Sequence, residues 1–231
     1  MPTDTLFRTL VLGVALAAAG APAAYAQGYP NPYPRPGADK VTENDRVVVW
    51  NATWPTGVAT PLHEHRLDQL SVTVEGGTVR VTTADGRASS TDAPPGTVRF
   101  LRAGTIHQEE GTSTAVKRAY MVELKRPLDQ KAVPAAPRVP PPTGITTRSF
   151  APGNATQVLD NDRVQAWDVT FPREVRWNEP VDCCDTLRVV VTEDGRPAGG
   201  DAAFLYAPAG QAFPPLETTA GAARAVFVLL K

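Results

Sequence analysis

Residues 61–74 read Pro61-Leu62-His63-Glu64-His65-Arg66-Leu67-Asp68-Gln69-Leu70-Ser71-Val72-Thr73-Val74. In an extended strand, residues two apart point to the same face, so His63 and His65 can present both imidazoles to one ion. Further along, Leu70, Val72 and Val74 form one apolar face, while Gln69, Ser71 and Thr73 share the parity of the histidines. The third and last histidine of the chain, His107, lies in the stretch 101–111, LRAGTIHQEEG. An imidazole from that later strand would complete a facial set with open positions for water or substrate, an arrangement suited to divalent iron, manganese, nickel, copper or zinc.

Outward from this stretch, the chain consists of short valine-rich runs separated by glycine turns, without a helical period, which predicts an all-β fold. It also repeats itself. Asn44-Asp45-Arg46-Val47 recurs 117 residues later as Asn161-Asp162-Arg163-Val164. The same offset pairs Trp50 with Trp167, Thr53 with Thr170, Pro55 with Pro172, Asp68 with Asp185 and Leu70 with Leu187. The endings 118–125 (RAYMVELK) and 224–231 (RAVFVLLK) also correspond, so the sequence is read as a duplication. The second copy is shorter between Asp185 and Gly210, by about the length of one hairpin.

Residues 1–26 carry one positive charge (Arg8), an apolar run from Leu10 to Ala19 and the small-residue pattern Ala24-Tyr25-Ala26, which predicts a secretory signal peptide cleaved before Gln27. The expected location is therefore periplasmic or secreted. The apolar run is shorter than the ~20 residues a membrane span needs, and no later stretch is apolar enough. Residues 27–40 are read as a proline-rich arm and 127–143 as a proline-rich linker, flanking a first barrel at 41–126 and a second at 144–231.

Composition narrows the function. The 231 residues include 23 basic and 24 acidic side chains, for a net charge of −1, which argues against nucleic-acid binding. Two cysteines supply neither a disulfide framework nor a four-thiolate zinc site.

The histidine spacing resembles the two motifs of the cupin superfamily. The first, G-x5-H-x-H-x3,4-E-x6-G, is met by Gly57, His63, His65 and Gly76, with Gln69 in place of glutamate. The second, G-x5-P-x-G-x2-H-x3-N, is met by Gly96, Gly104 and His107, with Arg102 for proline and Gly111 for asparagine. This resemblance implies tandem antiparallel jelly-roll barrels, the first holding a divalent transition metal through His63, His65 and His107. A neutral amide is a weaker ligand than a carboxylate and is no general base near pH 7, so Gln69 is expected as a weak ligand or a partner of the ligands.

Other side chains are weighed against plainer roles. Asp68 has the opposite strand parity and recurs as Asp185, which favours a structural role. Glu109 and Glu110 are read as solvated loop acids rather than acid–base groups, and Arg102 either as a contact for an anionic substrate or as a surface arginine. At the constant offset, His63 becomes Pro180, His65 becomes Asp182 and Gln69 becomes Thr186, while Phe213 replaces His107, so the second barrel has lost its ligands. Cys183 and Cys184 are compatible with a vicinal disulfide, an intermolecular link, a soft-metal site or free thiols. Trp50, Trp54 and Trp167 are expected to pack the barrels, and Trp177 to lie in a loop. The expected function is an exported metal-dependent oxygenase or isomerase acting on a small organic molecule. The alternative is a non-catalytic binding protein for a metal or small ligand. A monomer and a homodimer are both compatible with the sequence.

Overall fold

The structure, a computed structural model, describes residues 28–125, 147–172, 176–179, 181, 183–191, 203–217 and 223–231. The expected signal peptide at 1–26, all of the expected linker at 127–143 and residues 192–202 lie outside them.

The repeated Asn-Asp-Arg-Val segments build the same turn twice. Asn44 Oδ1 accepts the backbone N–H groups of Arg46 and Val47 at 2.8 and 2.9 Å, and Asn161 Oδ1 accepts those of Arg163 and Val164 at 2.8 and 2.9 Å. An asparagine side chain used this way imitates a backbone turn. It folds β1 (Ala38–Glu43) onto β2 (Val47–Trp54), and β10 (Asn154–Asp160) onto β11 (Val164–Phe171). Both hairpins carry a register shift at corresponding places, between Lys40 and Thr42 and between Gln157 and Leu159.

The first copy continues through β3 (His63–Glu64), β4 (Asp68–Glu75), β5 (Gly77–Thr83), β6 (Ala88–Ala93), β7 (Val98–Leu101), β8 (Ile106–Gly111) and β9 (Lys117–Leu124). Its strands form two antiparallel sheets, ordered β1-β2-β9-β4-β7 and β3-β8-β5-β6. After a short 3₁₀ turn at Thr147–Phe150, the second copy adds β12 (Arg176–Trp177), β13 (Thr186–Val191), β14 (Phe204–Ala207), β15 (Leu216–Glu217) and β16 (Ala223–Leu230). Its large sheet, β10-β11-β16-β13-β14, repeats the order of the first, and β12 pairs with β15 in a separate two-stranded sheet. The fold is all-β and of the antiparallel jelly-roll class, as the valine runs and glycine turns predict.

Strand alternation separates two jobs. On β4, Leu70, Val72 and Val74 are at most 3% exposed and join Val47, Val49, Tyr120, Val122 and Leu124 in one hydrophobic cluster with residues of the second copy. The second copy contributes Val164, Ala166, Leu187, Val189, Val226, Val228 and Leu230. The two large sheets thus cover each other's outer faces, with roughly 1.5–3 kcal/mol per buried aliphatic side chain relative to exposure. The opposite faces point into the two barrels.

Charges exchange across this interface with near two-fold symmetry. Arg46 lies 3.8 Å from Asp185 and donates to the Lys231 carbonyl at 3.2 Å. Arg163 lies 3.5 Å from Asp68 and donates to the Leu124 carbonyl at 3.4 Å. Each arginine of the duplicated motif therefore reaches the duplicated aspartate of the other copy, the self-complementary pattern expected of an isologous contact.

The proline-rich arm, seen from Gly28, runs along the first barrel. The Pro30 carbonyl accepts the Glu64 N–H at 2.9 Å, and Tyr33 stacks on Trp50 with ring centroids 5.1 Å apart. Trp177, expected in a loop, belongs instead to β12 and is 2% exposed among the aromatic rings of the second copy. Among the described residues, no helix is long and apolar enough to cross a membrane.

Candidate metal centre

The site is built by two strands at one end of the first barrel. β3 and β8 are antiparallel neighbours, and their register sets His63 directly opposite His107. His65 follows where the chain leaves β3, and its backbone is clasped by the turn before β8. Its N–H donates to the Thr105 carbonyl at 2.9 Å, and its carbonyl accepts the Gly104 N–H at 2.7 Å. Gly104 turns there with φ of +84°, a conformation glycine adopts without steric cost. Asp68 caps the same turn by accepting the Ala103 N–H at 2.9 Å.

The three imidazoles are 2–4% exposed. Their ring centroids are 4.9–5.0 Å apart pairwise, and one ring nitrogen from each lies within 4.8 Å of the others. Hydrogen bonds at the far side of two rings fix their tautomers. His63 Nδ1 donates to the Pro61 carbonyl at 2.8 Å, which leaves its buried Nε2 without a partner. His65 Nδ1 donates to Gln69 Oε1 at 3.1 Å, so its Nε2 also carries a lone pair. That lone pair faces His107 Nε2 at 3.0 Å. Two cis ligands at ~2.1 Å from one ion, meeting at a right angle, stand ~3 Å apart, so the donor set fits a transition ion. Tautomers set by outward hydrogen bonds are the usual device for aiming imidazole lone pairs at a metal.

Burial favours the neutral form of His65 and His107. Burial, with His107 and His63 beside it, pushes His65 down to about 4, and burial also lowers His107. Neutral imidazole is the form that binds metal. The same barrel encloses a carboxylate. Burial raises the pKa of Glu109, but the neighbouring His107 and Lys117 and a hydrogen bond from Trp54 Nε1 at 2.9 Å outweigh it, and the net shift is downward. Lys117 is 7% exposed, with its ammonium 4.3 Å from the Trp54 ring centroid, and burial lowers its pKa.

The structure sorts the remaining sequence candidates. Gln69 is 1% exposed and engages His65 through Oε1, with Nε2 unpartnered. Asp68 and Asp185 do the same structural work in the two copies, accepting the N–H of Ala103 and of Ala209. Arg102 is no part of the centre: it pairs with Asp162 of the second copy and with Asp68, at the surface. Glu110 pairs outward with Arg80. Glu109, expected as a solvated acid, faces inward because it sits two residues beyond His107 on β8; that parity was present in the sequence as a signal. Gly111 replaces asparagine because a Cβ there would come within 2.5 Å of the Trp54 carbonyl oxygen. Tyr33 and Arg35 carried no comparable signal, since the arm has no hydrophobic period.

The second copy shows what replaced the ligands. Gly210 N–H donates to the Val181 carbonyl as Gly104 does to His65, so Val181, rather than Asp182, stands at the place of His65. From that residue to the shared aspartate is three positions in the first copy and four in the second. The extra residue falls at Cys183-Cys184, which are joined by a disulfide, and it defeats a constant offset. Phe213, 3% exposed, lies where His107 would be, in contact with Phe227 at 6.2 Å between centroids. Arg188, at the place of Ser71, is 2% exposed, donates to the Pro214 carbonyl at 2.8 Å and lies 5.1 Å from the Phe213 ring centroid; burial lowers it to about 10. Among the described residues, the metal-ligating cluster belongs to the first copy alone.

No family model matches the chain, and no curated protein is significantly similar to it. Among solved structures, AerE from Microcystis aeruginosa is similar over 88% of this chain and 98% of its own, at 8% identity and a TM-score of 0.56, a likeness of fold. A cupin domain from Bordetella pertussis Tohama I is 25% identical over 40% of this chain and 98% of its own, with a TM-score of 0.37. A cupin 2 conserved barrel domain protein from Leptotrichia buccalis is 9% identical over 84% of this chain and 88% of its own, with a TM-score of 0.47. With two antiparallel sheets in the first copy, and the histidines of both motifs brought together there, the chain has the cupin-like fold that the motif resemblance implies.

Proposed function

We propose that this chain is an exported cupin that binds one divalent transition metal through His63, His65 and His107. In this reading it acts on a small organic molecule, as an oxygenase or an isomerase. The observation that carries the proposal is the convergence of three buried imidazoles, two of them with Nδ1 tied outward and Nε2 left for an ion. When bound, such an ion supplies Lewis-acid polarisation or, if redox-active, oxygen chemistry. Pro61 and Gln69 hold the His63 and His65 rings in their ligating orientation. Glu109, ionised inside the barrel and anchored by Trp54, offers a carboxylate to a proton that a bound molecule releases. The sheet interior excludes bulk water from these groups.

The alternative reading is a non-catalytic binder, and one observation favours it. The residue at the motif's carboxylate place is a neutral amide already occupied with His65. Glu109 weighs on the side of the enzyme. Export follows from residues 1–26, with cleavage before Gln27, and the mature chain is proposed to be periplasmic or secreted.

Elemental analysis of purified protein tests the site. Wild type is expected to carry close to one transition ion per chain, and the double variant His63→Ala/His107→Ala none. Equal metal content in the two would remove the proposal. Oxygen consumption across phenols, thiols and keto acids then separates enzyme from binder.

A further inference from the structure

A cavity of about 290 Å³ opens between the proline-rich arm and the loop that precedes β3. Its walls are Arg35 from the arm and Trp54, Pro55, Val58, Thr60 and Pro61 from the barrel. None of the three histidines lines it. The walls are apolar, with the one charged group at the arm side.

That charged group lacks an acidic partner. Arg35 Nη1 donates to the carbonyls of Pro36 and Thr53 at 3.0 and 3.1 Å, and its buried Nη2 has no hydrogen-bond acceptor. Among the described residues, no carboxylate forms an ion pair with it. Its guanidinium stands 5.1 Å from the Trp54 ring centroid, and the Lys117 ammonium stands 4.3 Å from the same ring. Two cations therefore share one indole, and the carboxylate bound to that indole, Glu109, is also coupled to the histidines. Arg35 is the one charged side chain that lines the cavity. A half-buried guanidinium that meets backbone carbonyls and the Tyr33 hydroxyl but no carboxylate, with Nη2 left over, gains most from a carboxylate, whose two oxygens match its fork.

We propose that this cavity binds a small aromatic carboxylic acid. The ring lies against Trp54, Pro55, Val58 and Pro61, and the carboxylate meets Arg35. The volume falls at the lower end of the range for small-molecule sites, which limits the ligand to about one ring with its acid group. The site goes beyond the metal reading and does not depend on it, since its walls and its charge come from other residues. It is nevertheless adjacent to the centre. The Pro61 carbonyl anchors His63 Nδ1, and Thr60 exchanges hydrogen bonds with the backbone of Glu109 at 2.8 and 2.9 Å.

Calorimetric titration of chelator-treated full-length mature protein with benzoate tests the proposal apart from the metal. Wild type is expected to bind one benzoate saturably, and benzyl alcohol roughly tenfold more weakly or worse, because it lacks the charge. Arg35→Gln is expected to weaken benzoate by at least about tenfold. Val58→Trp fills the cavity from an exposed position (57% exposed) without touching the arm's charge, and is expected to abolish binding. His63→Ala/His107→Ala is expected to bind benzoate like wild type, so loss of the metal centre and loss of this site are read separately. No benzoate binding by wild type, benzyl alcohol binding as tightly as benzoate, or unchanged affinity in Arg35→Gln or Val58→Trp would overturn it.

Discussion

The two copies share a frame and differ in what fills it. Both begin with the same asparagine-capped hairpin, both end on the same central strand, and both place an aspartate under the turn before the eighth strand or its counterpart. Their outward faces are interchangeable in character: Leu70, Val72 and Val74 on one side, Leu187, Val189 and Val191 on the other. Their interiors differ. The first sets three imidazoles beside a smaller apolar cluster that includes Trp50, Trp54, Val79 and Met121; the second is packed with Phe150, Trp167, Phe171, Trp177, Phe213 and Phe227. Because alternate residues of a strand serve different faces, the interface was retained while the interior was rebuilt.

The largest effect should come from breaking that aromatic packing. Phe227 is fully buried and touches the rings of Phe150, Trp177, Phe171 and Phe213. Phe227→Ala is expected to cost about 3–5 kcal/mol in denaturant unfolding, and added metal should not restore it. Restoration by metal would mean that the second barrel depends on the first one's ion.

Acid should expose the opposite weakness in the first barrel. His65 is held at about 4 in the folded protein, below its ordinary value. Between those two values the unfolded chain takes up the proton and the folded chain does not, so stability falls as pH falls through that window. At pH 5 the metal-free protein should have lost about 2 kcal/mol relative to pH 7 on this account, since each pKa unit is worth about 1.4 kcal/mol. A His65→Gln variant should show a shallower slope, the remainder coming from His107, which burial also lowers. Thermal melts across pH 4.5–7.5 in both proteins check it, and parallel slopes would count against the buried neutral imidazole.

Removing Asp68 or Asp185 should cost similar amounts, about 1–3 kcal/mol each, because each satisfies a turn N–H and faces an arginine of the other copy. Metal content should survive Asp68→Ala, and its loss would make Asp68 part of the centre. The smallest effect belongs to Arg102→Ala. Its ion pairs are exposed, so the denaturation midpoint should barely move and the metal should be retained.

What the sequence made legible was whatever strand parity or repetition encodes. The two faces of β4, the common placement of His63, His65 and His107, and the structural role of the paired aspartates were all readable. Glu109 was encoded by the same parity but masked by its acidic neighbour Glu110 and the glycine after it, which together resemble a solvated loop. The counterpart of His65 was misassigned to Asp182 because one inserted residue between Val181 and Asp185 shifts the local alignment while the flanking strands stay in phase. Tyr33 and Arg35 were beyond reach: a segment with alternating prolines has no period, and only the folded barrel supplies the indoles of Trp50 and Trp54 on which they rest.

X-ray absorption at the edge of the bound metal tests the three-histidine centre most directly. The account predicts a shell with outer-ring scattering from three imidazoles at ~2.0–2.2 Å and no sulfur, reduced to two imidazoles in a metal-loaded His107→Ala variant. A spectrum of wild type showing fewer than three histidine ligands, sulfur ligation, or no change in the variant would contradict it.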